Sequence, residues 1–300
     1  MNNSTETKTK KAPAPPVLGA DVGGTNLRVG LLQNAELSDV RQYSTRQTEL
    51  VQTIADAARE LGAAAVGAGV PGTLDRARRR VLNTPNLPSL AGYELAARLE
   101  DASGLPVFLE NDAVMLLTGD VHRLGLPEGG VILGVYVGTG LGSCVFSGGS
   151  PYLGANAIGV ELGHIPFPGN AEKCGCGNTG CAESCVSGAY LERLVCEKYP
   201  GTPVADAFSV MSEELKLRYA ENLACAIAAA VNLFDPDTVI LGGGVPAMRG
   251  FPLDEVLRGV YAHALKPLPA QSLNIKTAPD DGASGVLGAA LFAAGRLAAI

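Results

Sequence analysis

The chain has no tryptophan, and aromatic residues make up only 5% of its 300 positions. Surfaces that bind single-stranded nucleic acid stack bases on such side chains, so their scarcity weighs against that role. Positive charge is short as well: 23 Lys plus Arg stand against 30 Asp plus Glu, a net charge of −7. Nucleic-acid affinity comes largely from neutralised phosphates, and this balance predicts no nucleic-acid partner. The opening MNNSTETKTKKAPAPP carries lysines but no apolar core, so no secretory signal is expected. No apolar run is long enough to cross a bilayer; the most apolar helical stretch, 223–234, is too short. A balanced disulfide framework is missing too. The seven cysteines are odd in number, and three fall within eight residues, a pattern that suits a metal site in a reducing compartment. A cytoplasmic protein with no membrane partner is the expectation.

What is present is apolar and glycine-rich. Hydrophobic residues reach 47% and charged ones 18%, which supplies a sizeable core and excludes wholesale disorder. The length suggests about two domains. Residues 1–16 read as a flexible leader. Order is expected from Val17, where VLGADV meets Gly-Gly and resumes as NLRVGLL, the pattern of a hairpin. Helical spacing over 45–61 is followed by a buried strand at 65–70, closed by Pro71-Gly72. A polar loop spans LDRARRRVLNTPNLPSL, and its arginines at 76–80 read as solvated. A helix near 94–102 and a strand at 107–110 come next. At 131–146, VILGVYVGTGLGSCVF repeats the opening hairpin, which suggests two halves built on one plan. A helix over 215–234, a strand at 238–241, Gly242-Gly243-Gly244 and a small-residue helix over 284–299 complete an α/β alternation.

The two glycine turns carry chemistry. Asp21 ends a strand before Gly23, Gly24, Thr25 and Asn26; Gly138, Thr139 and Gly140 form the second turn. Glycine lets backbone N–H groups approach an anion, and threonine adds a donor. A single such turn would read as a tight hairpin only. Two suggest phosphate cradles facing each other, with Asp21 holding Mg²⁺ through water. Neither turn is followed by Lys-Ser/Thr, and both open strands rather than helices, so Walker and dinucleotide patterns are excluded.

His164, Cys174, Cys176 and Cys181 form a closed tetrahedral set for zinc, with glycines between them to tighten the loop. Four protein ligands leave no position for an activated water, so this zinc would be structural. Cys144, Cys185, Cys196 and Cys225 stand in apolar contexts and read as packing residues. Glu110, Asn111 and Asp112 follow a strand as loop residues, and Glu161 and Glu183 flank the metal set. With Asn86 they supply the directed donors and acceptors that polyols need.

Taken in order, DVGGTN, GVPG, TPNLP, the Glu-Asn-Asp-Ala run, VGTGLG, ELGH with the three cysteines, and LGGGV resemble the ROK family of sugar kinases over 17–300. The resemblance implies an actin-like, ribonuclease H-like, hexokinase-type two-domain ATPase fold with a zinc-binding loop. It implies a smaller domain of 17–117 plus 286–300 and a larger one of 118–285 carrying the zinc element at 164–181. Asp112 would be the catalytic base acting on a hexose 6-hydroxyl. Asn86, Asn111, Glu161, His164 and Glu183 would bind sugar hydroxyls, and His164 would double as a zinc ligand. Gly23 to Thr25 and Gly138 to Gly140 would hold phosphates, and Gly242 to Gly244 the adenosine. ATP, Mg²⁺, structural Zn²⁺ and a homodimer are implied as well. TPNLP, ELGHIP, CGNTGCAES, NLFDPDTVILGGGV and KPLP are most similar to members that phosphorylate D-allose. Glucose, N-acetylmannosamine and fructose are alternatives within the family, and a sugar-binding regulator without catalysis or an actin-like ATPase with a protein partner are alternatives outside it. The family's repressors carry a winged helix–turn–helix ahead of the first phosphate loop. Only 20 residues precede Asp21 here, which favours enzyme over regulator.

Overall fold

The structure, a computed structural model, describes residues 14–299 apart from residues 86 and 128. Most of the expected leader, and Asn86, lie outside the described residues.

The chain enters at β1 (Val17–Val22), turns into β2 (Asn26–Gln33) and completes an antiparallel meander with β3 (Glu36–Ser44). Helix α1 (Leu50–Glu60) crosses over to β4 (Ala65–Val70), which runs parallel to β1. A small hairpin of β5 (Thr73–Leu74) and β6 (Val81–Asn83) and helix α2 (Leu95–Ser103) lead to β7 (Val107–Asn111), parallel to β4. The sheet order is β3-β2-β1-β4-β7.

Helix α3 (Asp112–Arg123) carries the chain to a second sheet. There β8 (Val131–Val137), β9 (Leu141–Ser147) and β10 (Ser150–Pro151) repeat the meander. After α4 (Glu183–Val186), α5 (Gly188–Lys198), α6 (Ala207–Val210) and α7 (Glu213–Phe234), strand β11 (Thr238–Gly242) joins β8 in parallel. Helix α8 (Leu253–His263) leads to β12 (Asn274–Thr277), parallel to β11, and α9 (Ser284–Leu297) ends the described chain. This sheet, β10-β9-β8-β11-β12, has the order of the first. The two similar hairpins in the sequence therefore do mark two halves of one plan.

Each sheet has an outer and an inner apolar face. Leu18, Ala20 and Val22 point outward onto Ile54, Ala57 and Ala58 of α1 and Leu95 and Leu99 of α2. On the second sheet Leu133, Val135 and Val239 meet Leu223, Ile227 and Val231 of α7. Each fully buried Leu or Ile of this kind contributes roughly 1.5–3 kcal/mol. Inward, Leu287, Ala290 and Ala293 of α9 cover the first sheet, and Ala113, Val114 and Leu117 of α3 cover the second. The two inner helices touch backbone to backbone. A Cβ on Gly288 would collide with the Met115 carbonyl, and one on Gly119 with the Ser284 carbonyl. That is the use of the small-residue face expected at 284–299. The residues 117/118 fall inside α3 and 285/286 at the start of α9, so both expected boundaries lie in the helices that join the halves.

Helix α1 starts at Leu50, not near 45, because Thr45 is drawn to the first glycine turn: its hydroxyl donates to the Gly23 carbonyl at 2.9 Å and its N–H to the Thr25 carbonyl at 2.9 Å. Helix α7 begins two residues before the expected 215, where the Ser212 hydroxyl accepts from the Leu215 N–H at 3.4 Å as an N-cap. Among the described residues no helix is long and apolar enough to cross a membrane.

Candidate active site and metal centre

A cleft of about 1030 Å³ opens between the two sheets, beside the crossing of α3 and α9. Asp21, Gly23 and Gly24 reach it from the first turn, and Gly138, Thr139 and Gly140 from the second. Asn111, Asp112, Glu161, His164 and Glu183 line it, as do Gly242, Gly243 and Gly244 at the end of β11. Of the other expected site residues, Thr25 is exposed and Asn26 opens β2, and neither is among the lining residues. Their backbone instead shapes the first turn: the Gly23 N–H donates to the Asn26 carbonyl at 2.8 Å.

Asp21 stands at the end of β1 with its carboxylate 15% exposed and 3.7 Å from the Arg28 guanidinium. Burial, and then the negative charge of Asp112, push its pKa up to about 6, with Arg28 pulling the other way. Two carboxyls are thus held within electrostatic reach of each other in the cleft. That arrangement favours a cation between them.

Asp112 corrects the loop expectation. It is the first residue of α3, and Asn111 caps the helix: the Ala113 N–H donates to Asn111 Oδ1 at 3.0 Å and to Asp112 Oδ1 at 2.9 Å. Asn-Asp ahead of the apolar run AVMLL is a helix-start signal that the sequence did offer. Asn111 Nδ2 donates to the Gly72 carbonyl at 3.2 Å. Burial raises the Asp112 carboxyl above the ordinary range, and the Ala113 N–H moderates the rise. One step back, Glu110 is 2% exposed. Arg78 meets it with two contacts, Nη2 to Oε1 at 2.8 Å and Nε to Oε2 at 3.0 Å, and the Asn111 N–H donates to Oε1 at 2.9 Å. The arginine run is therefore not simply solvated: Arg78 is 13% exposed and anchors the strand that delivers Asp112. Glu110 in the apolar strand VFLEN was the clue, since a buried carboxylate requires a partner.

The second turn is held from behind. The first residues of α5 donate into it, Gly188 N–H to the Gly138 carbonyl at 2.7 Å and Ala189 N–H to the Thr139 carbonyl at 3.1 Å. Glu183 Oε2 accepts from the Leu141 N–H at 2.9 Å. Its carboxylate occupies the space a Cβ on residue 140 would need, which explains glycine there. The third glycine segment folds over the end of β8, where the Val245 N–H donates to the Val137 carbonyl at 3.0 Å.

His164 sits at the end of a 3-10 turn, Leu162–His164. Its Nδ1 lies 3.7 Å from Cys174 Sγ, Cys176 Sγ lies 3.7 Å from Cys181 Sγ, and all four donor atoms fall within 4.8 Å of one another. Tetrahedral zinc with Zn–S bonds near 2.3 Å separates its sulfurs by about 3.8 Å, so this donor set fits the ion. Burial holds the Cys174 thiol up at about 12, and burial raises Cys181 as well. Cys176 is lowered instead, burial being outweighed by the Asn178 N–H and the neighbouring thiols, and a bound metal favours the thiolate at all three sulfurs. His164 Nε2 points the other way, 3.9 Å from Glu161 Oε2, and Glu183 Oε1 lies 3.5 Å from Cys174 Sγ. The metal set and both carboxylates form one contiguous structure, in which Cys181 is buried behind the cleft. Of the cysteines read as packing, Cys144 is buried, whereas Cys196 is exposed on α5.

Sequence reasoning also missed Asp120, buried on α3 at the cleft wall. Tyr136 donates to its Oδ2 at 2.9 Å, and its Oδ1 has no hydrogen-bond partner among the described residues. An acid inside an apolar helix gave no pattern to read.

Two sheets of one order around a polar cleft define a hexokinase-type α/β fold with mixed sheets. The chain belongs to the ROK family, which it matches over residues 17–296. It is 30% identical to a glucokinase of Thermotoga maritima, covering 93% of this chain and 97% of the relative. It is 31% identical to an N-acetyl-D-glucosamine kinase of Pectobacterium carotovorum, covering 91% and 97%. Among solved structures, a ROK hexokinase from Thermus thermophilus superposes with a TM-score of 0.80 at 30% identity, covering 95% of this chain and all of that one. A ROK family glucokinase from Streptomyces griseus, in complex with glucose and AMPPNP, gives 0.76 at 26% identity, covering 92% and 98%.

Proposed function

We propose that this protein transfers the γ-phosphoryl group of ATP to the 6-hydroxyl of a D-hexose. It is an ATP-dependent enzyme of the hexokinase type, a hexose kinase of its family. The observation that carries the finer reading is Asp112, a half-buried carboxylate at the start of α3 in the same cleft as two glycine turns. Asp112 accepts the proton of the 6-hydroxyl as that oxygen bonds to the γ-phosphorus and the bond to the ADP oxygen breaks in line. The catalytic gain is mostly positioning and charge stabilisation. Asn111, Glu161, His164 and Glu183, with Asn86, bind the sugar hydroxyls. The first turn, through Gly23 and Gly24 with Thr25 and Asn26 shaping it, and the second (Gly138, Thr139, Gly140) border the phosphates, and Gly242, Gly243 and Gly244 border the adenosine. Asp21 holds Mg²⁺ through water, which supplies neutralising charge at the phosphates. Zn²⁺ on His164, Cys174, Cys176 and Cys181 is structural and fixes the loop that carries Glu161. The halves 17–117 with 286–300 and 118–285 close on the substrates, and the enzyme works as a cytoplasmic homodimer.

For the hexose, one relative is named for glucose and the other for N-acetyl-D-glucosamine, so their names favour a glucose-type sugar over D-allose, the substrate to which the short runs pointed; of the two we take D-glucose, an alternative already open from the sequence. Coupled ADP-release assays over glucose, allose, N-acetylglucosamine, N-acetylmannosamine and fructose test this. Turnover is expected with glucose. Turnover with allose and not glucose reverses the substrate choice. Sugar binding without turnover sinks the kinase reading in favour of a regulator, and sugar-independent ATP hydrolysis in favour of an actin-like ATPase.

A further inference from the structure

On the far side of the second half, α7 and α8 bring together three donors that the kinase chemistry does not use. Glu221 and Cys225 stand one turn apart on α7, so both project from one face. His263 is the last residue of α8 and meets them there. Its Nε2 lies 2.7 Å from Glu221 Oε1, Cys225 Sγ lies 3.7 Å from the same oxygen, and the three donor atoms fall within 4.8 Å of one another.

The approach is built into the helix pair. A Cβ on Gly259 would lie 2.6 Å from the Ala224 Cβ, so only glycine lets α8 come this close to α7. Asn232, further along α7, donates from Nδ2 to the His263 carbonyl at 3.2 Å and accepts from the Leu265 N–H at 2.8 Å. The end of α8 is thereby pinned to α7 at His263 and just beyond it. The side chains remain partly open to solvent, 56% for Glu221 and 42% for His263, so an ion and its waters have access.

We propose that Glu221, Cys225 and His263 form a second metal site, which takes a zinc-class divalent ion on one carboxylate oxygen, one thiolate and one imidazole nitrogen. Thiolate with imidazole selects late first-row ions over Mg²⁺ and Ca²⁺, which require oxygen donors. Three protein ligands leave a fourth position for water. Binding breaks the Glu221–His263 contact, releases the Cys225 proton to solvent and ties α7 to α8 through the ion. With one thiolate in place of three, this site is weaker than the His164 cluster and fills after it.

Titration of the zinc-loaded full-length protein with Co²⁺ tests the site, since a cobalt–thiolate bond gives a charge-transfer band. One added equivalent per chain is expected to produce that band. In Cys225→Ser the band is expected to vanish, and in His263→Ala the affinity for Co²⁺ to fall by at least about tenfold. Thermal scans without cobalt check that both variants fold, and elemental analysis that both keep the tightly held zinc. The absence of a band in the wild type overturns the proposal. So does a band that survives unchanged in both variants, since cobalt would then have entered the His164 cluster by exchange.

Discussion

Glu183 holds the Leu141 N–H at 2.9 Å and so joins the second glycine turn to the cysteine cluster, 3.5 Å away through Cys174. In the proposed function this one carboxylate therefore serves both the sugar side and the phosphate-side turn. Glu183→Ala is expected to raise KM for ATP as well as for the hexose, while Glu183→Gln, which keeps an acceptor for Leu141, changes ATP affinity far less. Steady-state kinetics with each substrate varied separately check this.

Asp112→Asn removes the proposed proton acceptor while keeping the size and the cap of α3. Turnover is expected to fall about 10²–10⁴-fold, the usual worth of a general base, with sugar affinity by calorimetry nearly unchanged. Retained turnover would remove Asp112 from this role.

The carboxyl of Asp112 is raised by burial, and the proposed role as base requires it ionised. Activity is therefore lost as pH falls through a value above the ordinary carboxylate pKa of about 4. A kcat/KM profile measured at saturating Mg²⁺ should show that displaced acid limb.

Asp21 gives a stability test of the same physics. Its folded pKa of about 6 lies above the 3.8 of an unstrained aspartate, so the folded state holds the proton more tightly than the unfolded chain. This contribution to stability is fully present below about pH 4 and is lost as pH rises through 6. The loss amounts to roughly 3 kcal/mol at neutral pH. Asp21→Asn is expected to raise the melting temperature at pH 8 without nucleotide or Mg²⁺, and to leave it nearly unchanged at pH 4. Calorimetric scans at the two pH values measure the difference.

Arg78 and Arg80 should separate by burial. Arg78→Met strands the buried Glu110 and is expected to cost about 3–5 kcal/mol. Arg80, whose pair with Glu94 is about half exposed, should cost about 0–1 kcal/mol when changed to Met. Denaturant unfolding of the two variants reads this contrast.

Residues that act through their own backbone were legible early. The glycine turns, the apolar strands β1, β4, β8 and β11, and the ligand spacing of Cys174, Cys176 and Cys181 are local patterns, because chain geometry and hydrophobic period are set by neighbours in sequence. Strand β3 was not legible: most of its residues are exposed, so no alternation marks it. The start of α3 was misread although Asn111 and Asp112 were both singled out, since a capped helix start and a loop present the same polar residues.

The tertiary structure decided everything that depends on partners distant in the chain. Arg78 looked like a surface charge until the fold set it against Glu110, 32 residues on. Asp21 and Asp112 acquire their raised pKa values only because two separate strands end at one cleft. A sequence fixes which groups exist and how the backbone near them bends. Burial and long-range charge, which set what those groups do, come into being only when strands and helices distant in the chain pack together.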